Sequence, residues 1–230
     1  MFSLKELIQS IDHTLLKPDA TQKDFFHLCC EAKELGLKAV CVLPYVVPFC
    51  VQQLQASSVV VATVVGFPLG ANSWGIKALE AQRAFTDGAA EVDMVLNIGA
   101  LKDRRISDVF TEIEEVVKVA HTFSGKVVKV IIETALLTAE EKRIACELAV
   151  KAGADFVKTS TGFNCGGATV DDVRLMVETV GEKAKVKAAG GIRTWAQAEK
   201  LLLAGASRLG TSSGKNIVTQ YLEQYQKDKN

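Results

Sequence analysis

Lys151-Ala152-Gly153-Ala154-Asp155-Phe156-Val157-Lys158 joins the end of an amphipathic segment to the start of an apolar one through a glycine. Shorter forms of the same phrase stand at Asp87-Gly88-Ala89-Ala90 and Ala204-Gly205-Ala206-Ser207. A glycine just past the last residue of a helical apolar period is where a helix ends in left-handed backbone. The apolar, β-branched run that follows reads as a buried strand. The phrase therefore marks a helix-to-strand junction, and its recurrence predicts a chain of βα units. Gly36 and Gly181 occupy the same place after two further periodic segments.

Outward from these junctions, strands are predicted at 11–16, 38–43, 59–65, 91–97, 127–133, 155–160, 185–189 and 207–211. Helices are predicted at 22–35, 48–56, 75–86, 107–122, 139–151, 170–180 and 196–203, with a helical tail from Asn216. Alternation of this kind gives a parallel α/β sheet. Eight units in 230 residues point to a closed (β/α)8 TIM barrel, a fold of about 250 residues. An open doubly wound sheet is the alternative, but no G-x-G-x-x-G follows the first strand. With 4 prolines and no polar linker, residues 1–230 read as one barrel domain with a short helical carboxyl-terminal tail.

Composition sets the class. The chain is 48% hydrophobic and 23% charged, with 27 basic and 27 acidic residues and a pI near 6.8. These values fit a globular protein and exclude a broadly basic surface for nucleic acid or acidic membrane. The six cysteines, at 29, 30, 41, 50, 146 and 165, include no C-x-x-C, as expected of reduced thiols in the cytoplasm. The first nine residues carry Lys5 and Glu6 and show no signal-peptide pattern. The longest strongly apolar run, 59–65, is far short of the roughly 18 residues of a membrane span. Neither secretion nor membrane insertion is expected.

A strand covered on both faces should be continuously apolar. Several of the predicted strands are not. Side-chain alternation in Glu91-Val92-Asp93-Met94-Val95-Leu96-Asn97 puts Val92, Met94 and Leu96 toward the helices and Asp93, Val95 and Asn97 into the barrel. The same rule sets Lys129 with Glu133 on one face of the fifth strand, and Lys185 with Lys187 on one face of the seventh. Lys158 lies in the sixth strand, and Asp12 in the first adds a carboxylate near the same rim. The charges could pair to hold the barrel in register. As a group they favour chemistry, since each unpaired buried charge costs several kcal/mol.

Two lysines beside an acid suit a neutral amine nucleophile. A lysine pKa must fall from about 10.4 to about 7, or about 4 kcal/mol, and a second cation with partial desolvation can supply that. The pattern resembles a Schiff-base site, with Lys129, Lys158, Lys185 and Lys187 all open as the nucleophile. Thr159-Ser160-Thr161-Gly162, Gly190-Gly191 and Gly210-Thr211-Ser212-Ser213-Gly214 follow the last three strands. Their glycines free backbone N–H groups for an anion, where barrels commonly hold phosphate.

Six motifs then carry a family likeness. Ile11-Asp12-His13-Thr14-Leu15-Leu16-Lys17-Pro18, Gly66-Phe67-Pro68-Leu69-Gly70, Glu91 to Asn97, Phe156-Val157-Lys158-Thr159-Ser160-Thr161-Gly162-Phe163, Lys187-Ala188-Ala189-Gly190-Gly191-Ile192-Arg193 and Arg208 to Ser213 closely resemble the deoxyribose-phosphate aldolases, in order, from about residue 10 to about 215. The resemblance implies a class I aldolase on a (β/α)8 barrel. Its reaction interconverts 2-deoxy-D-ribose 5-phosphate with D-glyceraldehyde 3-phosphate and acetaldehyde, in deoxyribonucleotide catabolism, without cofactor or metal. It implies Lys158 as the Schiff-base lysine and Lys187 as the second lysine that lowers its pKa and exchanges protons. Asp93, with an ordered water, becomes the proton donor and acceptor. Asp12 and Thr14 support the relay and the substrate hydroxyls, and Gly162, Gly190, Gly191, Ser212 and Ser213 hold the phosphate. Its partners are a phosphosugar and an aldehyde, without nucleic acid or membrane, in a homodimer or higher homo-oligomer. Some members end in a tyrosine that reaches the site, whereas this chain ends Tyr225-Gln226-Lys227-Asp228-Lys229-Asn230, which leaves a catalytic role for the tail open.

Other residues read as structural. Cys41 is expected to pack as a small hydrophobe, and Cys29 and Cys30 to pack on a helix. His13, His27 and His121 lack metal-ligand spacing. Arg193 could face the phosphate or solvate the next helix. Two rival functions share the barrel and the loops: a phosphosugar isomerase or epimerase, and a non-catalytic sugar-phosphate-binding barrel.

Overall fold

Strands β1 (Ile11–Leu15), β2 (Ala39–Val42), β3 (Val60–Val65), β4 (Glu91–Val95), β5 (Val127–Ile131), β6 (Phe156–Lys158), β7 (Lys185–Ala189) and β8 (Arg208–Thr211) are parallel and close into a barrel in chain order. The structure, a computed structural model, describes residues 2–164 and 166–227, so Cys165 and the last three residues lie outside it. Closure is by β8 against β1, with Ile11 opposite Leu209 and His13 opposite Thr211.

Around the barrel run α1 (Leu4–Ser10), α2 (Gln22–Leu35), α3 (Val47–Gln53), α4 (Trp74–Thr86), α5 (Ile98–Lys102), α6 (Ile106–His121), α7 (Ala139–Lys151), α8 (Val170–Val180), α9 (Trp195–Leu203) and α10 (Gly214–Lys227). Most lay an apolar stripe on the sheet, while the short α5 packs on α6 and α7. In α6, Val109, Ile113, Val116, Val117 and Ala120 are buried, while Lys118 on the solvent side pairs with Glu114 and Glu115. Burying each of the valine and isoleucine side chains contributes about 1.5–3 kcal/mol. Start signals are local: Thr138 and Glu141 form a capping box on α7, as Thr194 and Gln197 do on α9. The stop signals behave as the junction phrase requires, since Gly36, Gly88, Gly153, Gly181 and Gly205 all have positive φ.

The outward side chains Val92, Met94, Val128, Val130, Val157, Val186 and Ala188 join the main core between sheet and helices. The barrel interior is divided. Cys41, Ala62 and Val64 form an apolar group on the β2–β3 side with Leu16. Charged residues share the rest with Val95, Ile131, Phe156 and Ala189, which have the same parity.

Several expectations need correction. The strand predicted to reach Asn97 stops at Val95, and Asn97 caps α5 by accepting from the Ala100 N–H at 3.0 Å. The strand predicted to reach Glu133 stops at Ile131, and Glu133 turns left-handed at φ 53°. Lys185 shares the parity of Lys187 but is exposed at the amino end of β7, with its amine 5.9 Å from the Phe156 ring centroid. The amino-terminal helix α1, opened by a Ser3–Glu6 capping box, and the short α5 were not expected. Helix α10, longer than the short tail anticipated, packs through Tyr221, whose ring meets Trp195 edge-on and whose hydroxyl donates to the Phe2 carbonyl.

Candidate active site

Strand register brings the charged side chains together. Lys158 on β6 stands directly opposite Lys187 on β7, and Asp93 on β4 directly opposite Lys129 on β5. Alternation turns all four inward. The Asp93 carboxylate is the hub: Oδ2 accepts from the Lys158 and Lys187 amines, each at 2.8 Å, and Oδ1 from Lys129 at 2.7 Å. Lys187 also donates to Asp12. Asp12 accepts from Arg208 at 2.6 Å, and Glu91 forms ion pairs with Lys129 at 2.6 Å and Arg208 at 3.1 Å. The network thus holds three carboxylates (Asp12, Glu91, Asp93) and four cations (Lys129, Lys158, Lys187, Arg208).

Burial penalises every charge here, and the neighbours decide the outcome. Burial pushes the Asp93 carboxyl up, but Lys129, Lys158 and Lys187 more than reverse this and hold it well below the usual range. Asp12 is likewise lowered against its burial, by Lys187, Lys129 and Arg208. Lys187 is driven the other way: burial favours the neutral amine, yet Asp12 and Asp93 raise its pKa above the ordinary lysine value. Asp93 and Asp12 are therefore carboxylates near neutral pH and Lys187 an ammonium.

Above this network a cavity of about 290 Å³ opens to solvent. Lys158 lies in its lining and is 3% exposed, whereas Asp12, Asp93, Lys129 and Lys187 are at 0%. Its wall includes Thr14, Gly162, Gly190, Gly191, Ser212 and Arg193. Thr14 donates to the Asp12 carbonyl at 2.9 Å. Ser213 stands behind the wall, where its N–H donates to Thr211 Oγ1 at 2.9 Å and its carbonyl opens α10. Gly190 takes φ 92° and packs against Gly167, where a Cβ would come within 2.5 Å of the Gly190 carbonyl oxygen, so this wall is bare backbone.

Of the four lysines left open by spacing, the structure sets Lys129, Lys158 and Lys187 on one carboxylate and Lys185 elsewhere. Arg193 faces the cavity. Cys41 is fully buried beneath it, and burial pushes its thiol pKa up. The sequence reading missed Glu91 and Arg208, although Glu91 has the parity of Asp93. It also missed Lys17, an exposed cation on the cavity wall. A second buried pair lies outside the barrel. Lys77 of α4 donates to Glu112 of α6 at 2.6 Å and to the Val95 carbonyl at 2.9 Å, and Glu112 accepts from the Asn97 N–H at 2.5 Å. Burial pushes both toward neutrality, lowering the Lys77 pKa and raising that of Glu112.

Residues 6–220 match the model of the DeoC/LacD family aldolases. The chain belongs to this family. Family relatives span nearly its whole length. The deoxyribose-phosphate aldolase of Carboxydothermus hydrogenoformans is 61% identical over 95% of this chain and 96% of its own. That of Thermococcus kodakarensis is 58% identical over 93% and 96%. Among solved family structures, the deoxyribose phosphate aldolase of Aeropyrum pernix, described as a unique tetramer, superposes with a TM-score of 0.90 at 32% identity, covering 96% of this chain and 93% of that one. No helix among the described residues is long and apolar enough to cross a membrane.

Proposed function

We propose that this chain reversibly cleaves 2-deoxy-D-ribose 5-phosphate to D-glyceraldehyde 3-phosphate and acetaldehyde through a Schiff base on Lys158. One observation carries the assignment of the nucleophile. The buried network has one more cation than carboxylate, and of its lysines Lys158 alone lines the cavity. A neutral amine there leaves the network electrically balanced and presents a lone pair to an incoming carbonyl.

Lys158 adds to C1 of the open-chain sugar. The carbinolamine loses water to an iminium, with the proton for the departing hydroxyl supplied by the Lys187 ammonium and the proton of the attacking amine received by the Asp93 carboxylate. Asp93 passes the proton it received to Lys187, 2.8 Å away, and then takes the C3 hydroxyl proton as the C2–C3 bond breaks and its electron pair moves into the iminium, giving an enamine and glyceraldehyde 3-phosphate. Return of that proton to C2 and hydrolysis of the iminium by water release acetaldehyde and restore the amine. Asp12 holds Lys187 in place from the far side, and Thr14 at the mouth meets the substrate hydroxyls. The phosphate is taken by the backbone of Gly162, Gly190 and Gly191, by Ser212 and by the α10 amino terminus at Ser213. Lys17 and Arg193 supply positive charge at the rim.

Family membership favours this reading over an isomerase, an epimerase or a non-catalytic binder. Its free buried thiols support a cytoplasmic setting. The tetrameric relative and the exposed Trp74, Ile76 and Leu79 of α4 support a homo-oligomer, which light scattering would test. Borohydride reduction with acetaldehyde should leave a two-carbon adduct on Lys158, and alcohol dehydrogenase should report acetaldehyde release from the sugar phosphate. An adduct mapped to Lys187, or none, contradicts the assignment.

A further inference from the structure

Glu133 has no part in the chemistry above, yet its carboxylate is 1% exposed and in contact with the loop that leaves the nucleophile. The Ile132 N–H donates to the Lys158 carbonyl and the Thr134 N–H to the next carbonyl, that of Thr159, so the chain past β5 gains one residue on β6. Glu133 is that extra residue. It occupies left-handed backbone, φ 53° and ψ 65°, which L side chains rarely adopt. The bulge takes its side chain out of strand alternation.

The carboxylate there accepts from Thr161 Oγ1 at 2.5 Å, from the Thr161 N–H at 3.3 Å and from Asn164 Nδ2 at 2.9 Å. Thr161 Oγ1 in turn accepts from the Phe163 N–H at 3.1 Å. Among the described residues no lysine, arginine or histidine forms an ion pair with Glu133. Its charge is therefore met by donors of one short loop, and the loop is folded around it. Thr161, Gly162 and Phe163 of that loop line the cavity beside Lys158.

We infer that Glu133 is a positioning residue that templates the Thr161 to Asn164 loop, and through it the part of the cavity that receives the phosphate. The inference rests on the proposed function. Aligned backbone donors at Gly162 act on the phosphorylated end of the sugar and not on its aldehyde. Loss of Glu133 therefore weakens binding of the phosphate ester and leaves imine formation at Lys158 intact.

Glu133→Gln keeps the side-chain volume but removes the charge and turns an amide donor toward other donors. Kinetics on 2-deoxyribose 5-phosphate and on unphosphorylated 2-deoxyribose should separate the two ends. The expected result is a KM for the phosphate ester raised about tenfold or more, with kcat changed less than about threefold. The kcat/KM for 2-deoxyribose should be unchanged, and the borohydride adduct with acetaldehyde should remain on Lys158. Asn164→Ala, which removes one donor and leaves the carboxylate, should show the same split at about twofold to fivefold, and it carries the test if Glu133→Gln does not fold. An unaltered KM, or an equal loss on both sugars, overturns the inference. The underlying reading fails separately, by absence of the adduct in the unmutated protein.

Discussion

Lys158 and Lys187 are the same residue type on neighbouring strands, and their surroundings differ. Lys187 has two carboxylates, Asp12 and Asp93, and stays charged. Lys158 has a third share of Asp93 and the open side of the cavity. Removing the Lys187 charge with Lys187→Leu should lower kcat about 10²- to 10⁴-fold, the usual worth of a positioned proton donor. Steady-state kinetics check this, and an unchanged kcat would deny Lys187 that role. At this scale parity within a strand was legible: Asp93, Lys158 and Lys187 all point inward as alternation requires. Parity could not rank them, because it says which face a side chain takes and nothing of what waits there.

The elements were legible where their signals are local. Helices α2, α7 and α8 have the bounds that the apolar period and the flanking glycine or cap residues predict. Strand ends were overextended at β4 and β5, because apolar sequence continues after the ladder stops and only backbone pairing fixes the end. The Lys77–Glu112 pair belongs to this scale, since it fastens α4 and α6 to the carboxyl end of the strand bearing Asp93. Its sequence signal is a lysine in line with Ala81 and Ala84 on the buried stripe of α4. Lys77→Met should cost about 3–5 kcal/mol by stranding the Glu112 carboxyl, and Lys77→Met with Glu112→Leu should recover most of it. Urea unfolding of the three proteins checks this, and equal stability of the single and double variants would show that the pair is not coupled. A loss of turnover in the double variant at normal stability would show that the pair also fixes Asp93.

At the scale of the molecule, the interior ion network links stability to pH. Asp12 and Asp93 have folded pKa values lowered from an unfolded value of about 3.9. Their contribution is complete above about pH 5 and is lost as pH falls toward the lowered values, because the unfolded chain binds protons first. Lys187, with its pKa raised, contributes fully below about pH 10 and loses that contribution at higher pH. Unfolding free energy should therefore be nearly flat from about pH 6 to 9 and fall steeply below about pH 4. A rise in stability between pH 5 and 3 would contradict the network.

The sequence by itself determined the order of the strands and of the helices other than α1 and α5, the closed barrel, the inward face of the fourth strand and the three glycine-rich loops above the barrel. Period, parity and glycine junctions act over a few residues, and the chain records them directly. Tertiary structure alone decided that Asp93 binds three lysines, that Glu91 and Arg208 complete the charge network, that Lys185 stands outside it, and that Glu133 turns from the barrel to hold a loop. These depend on register between strands far apart in the chain and on where the ladder ends, which are fixed when the barrel closes.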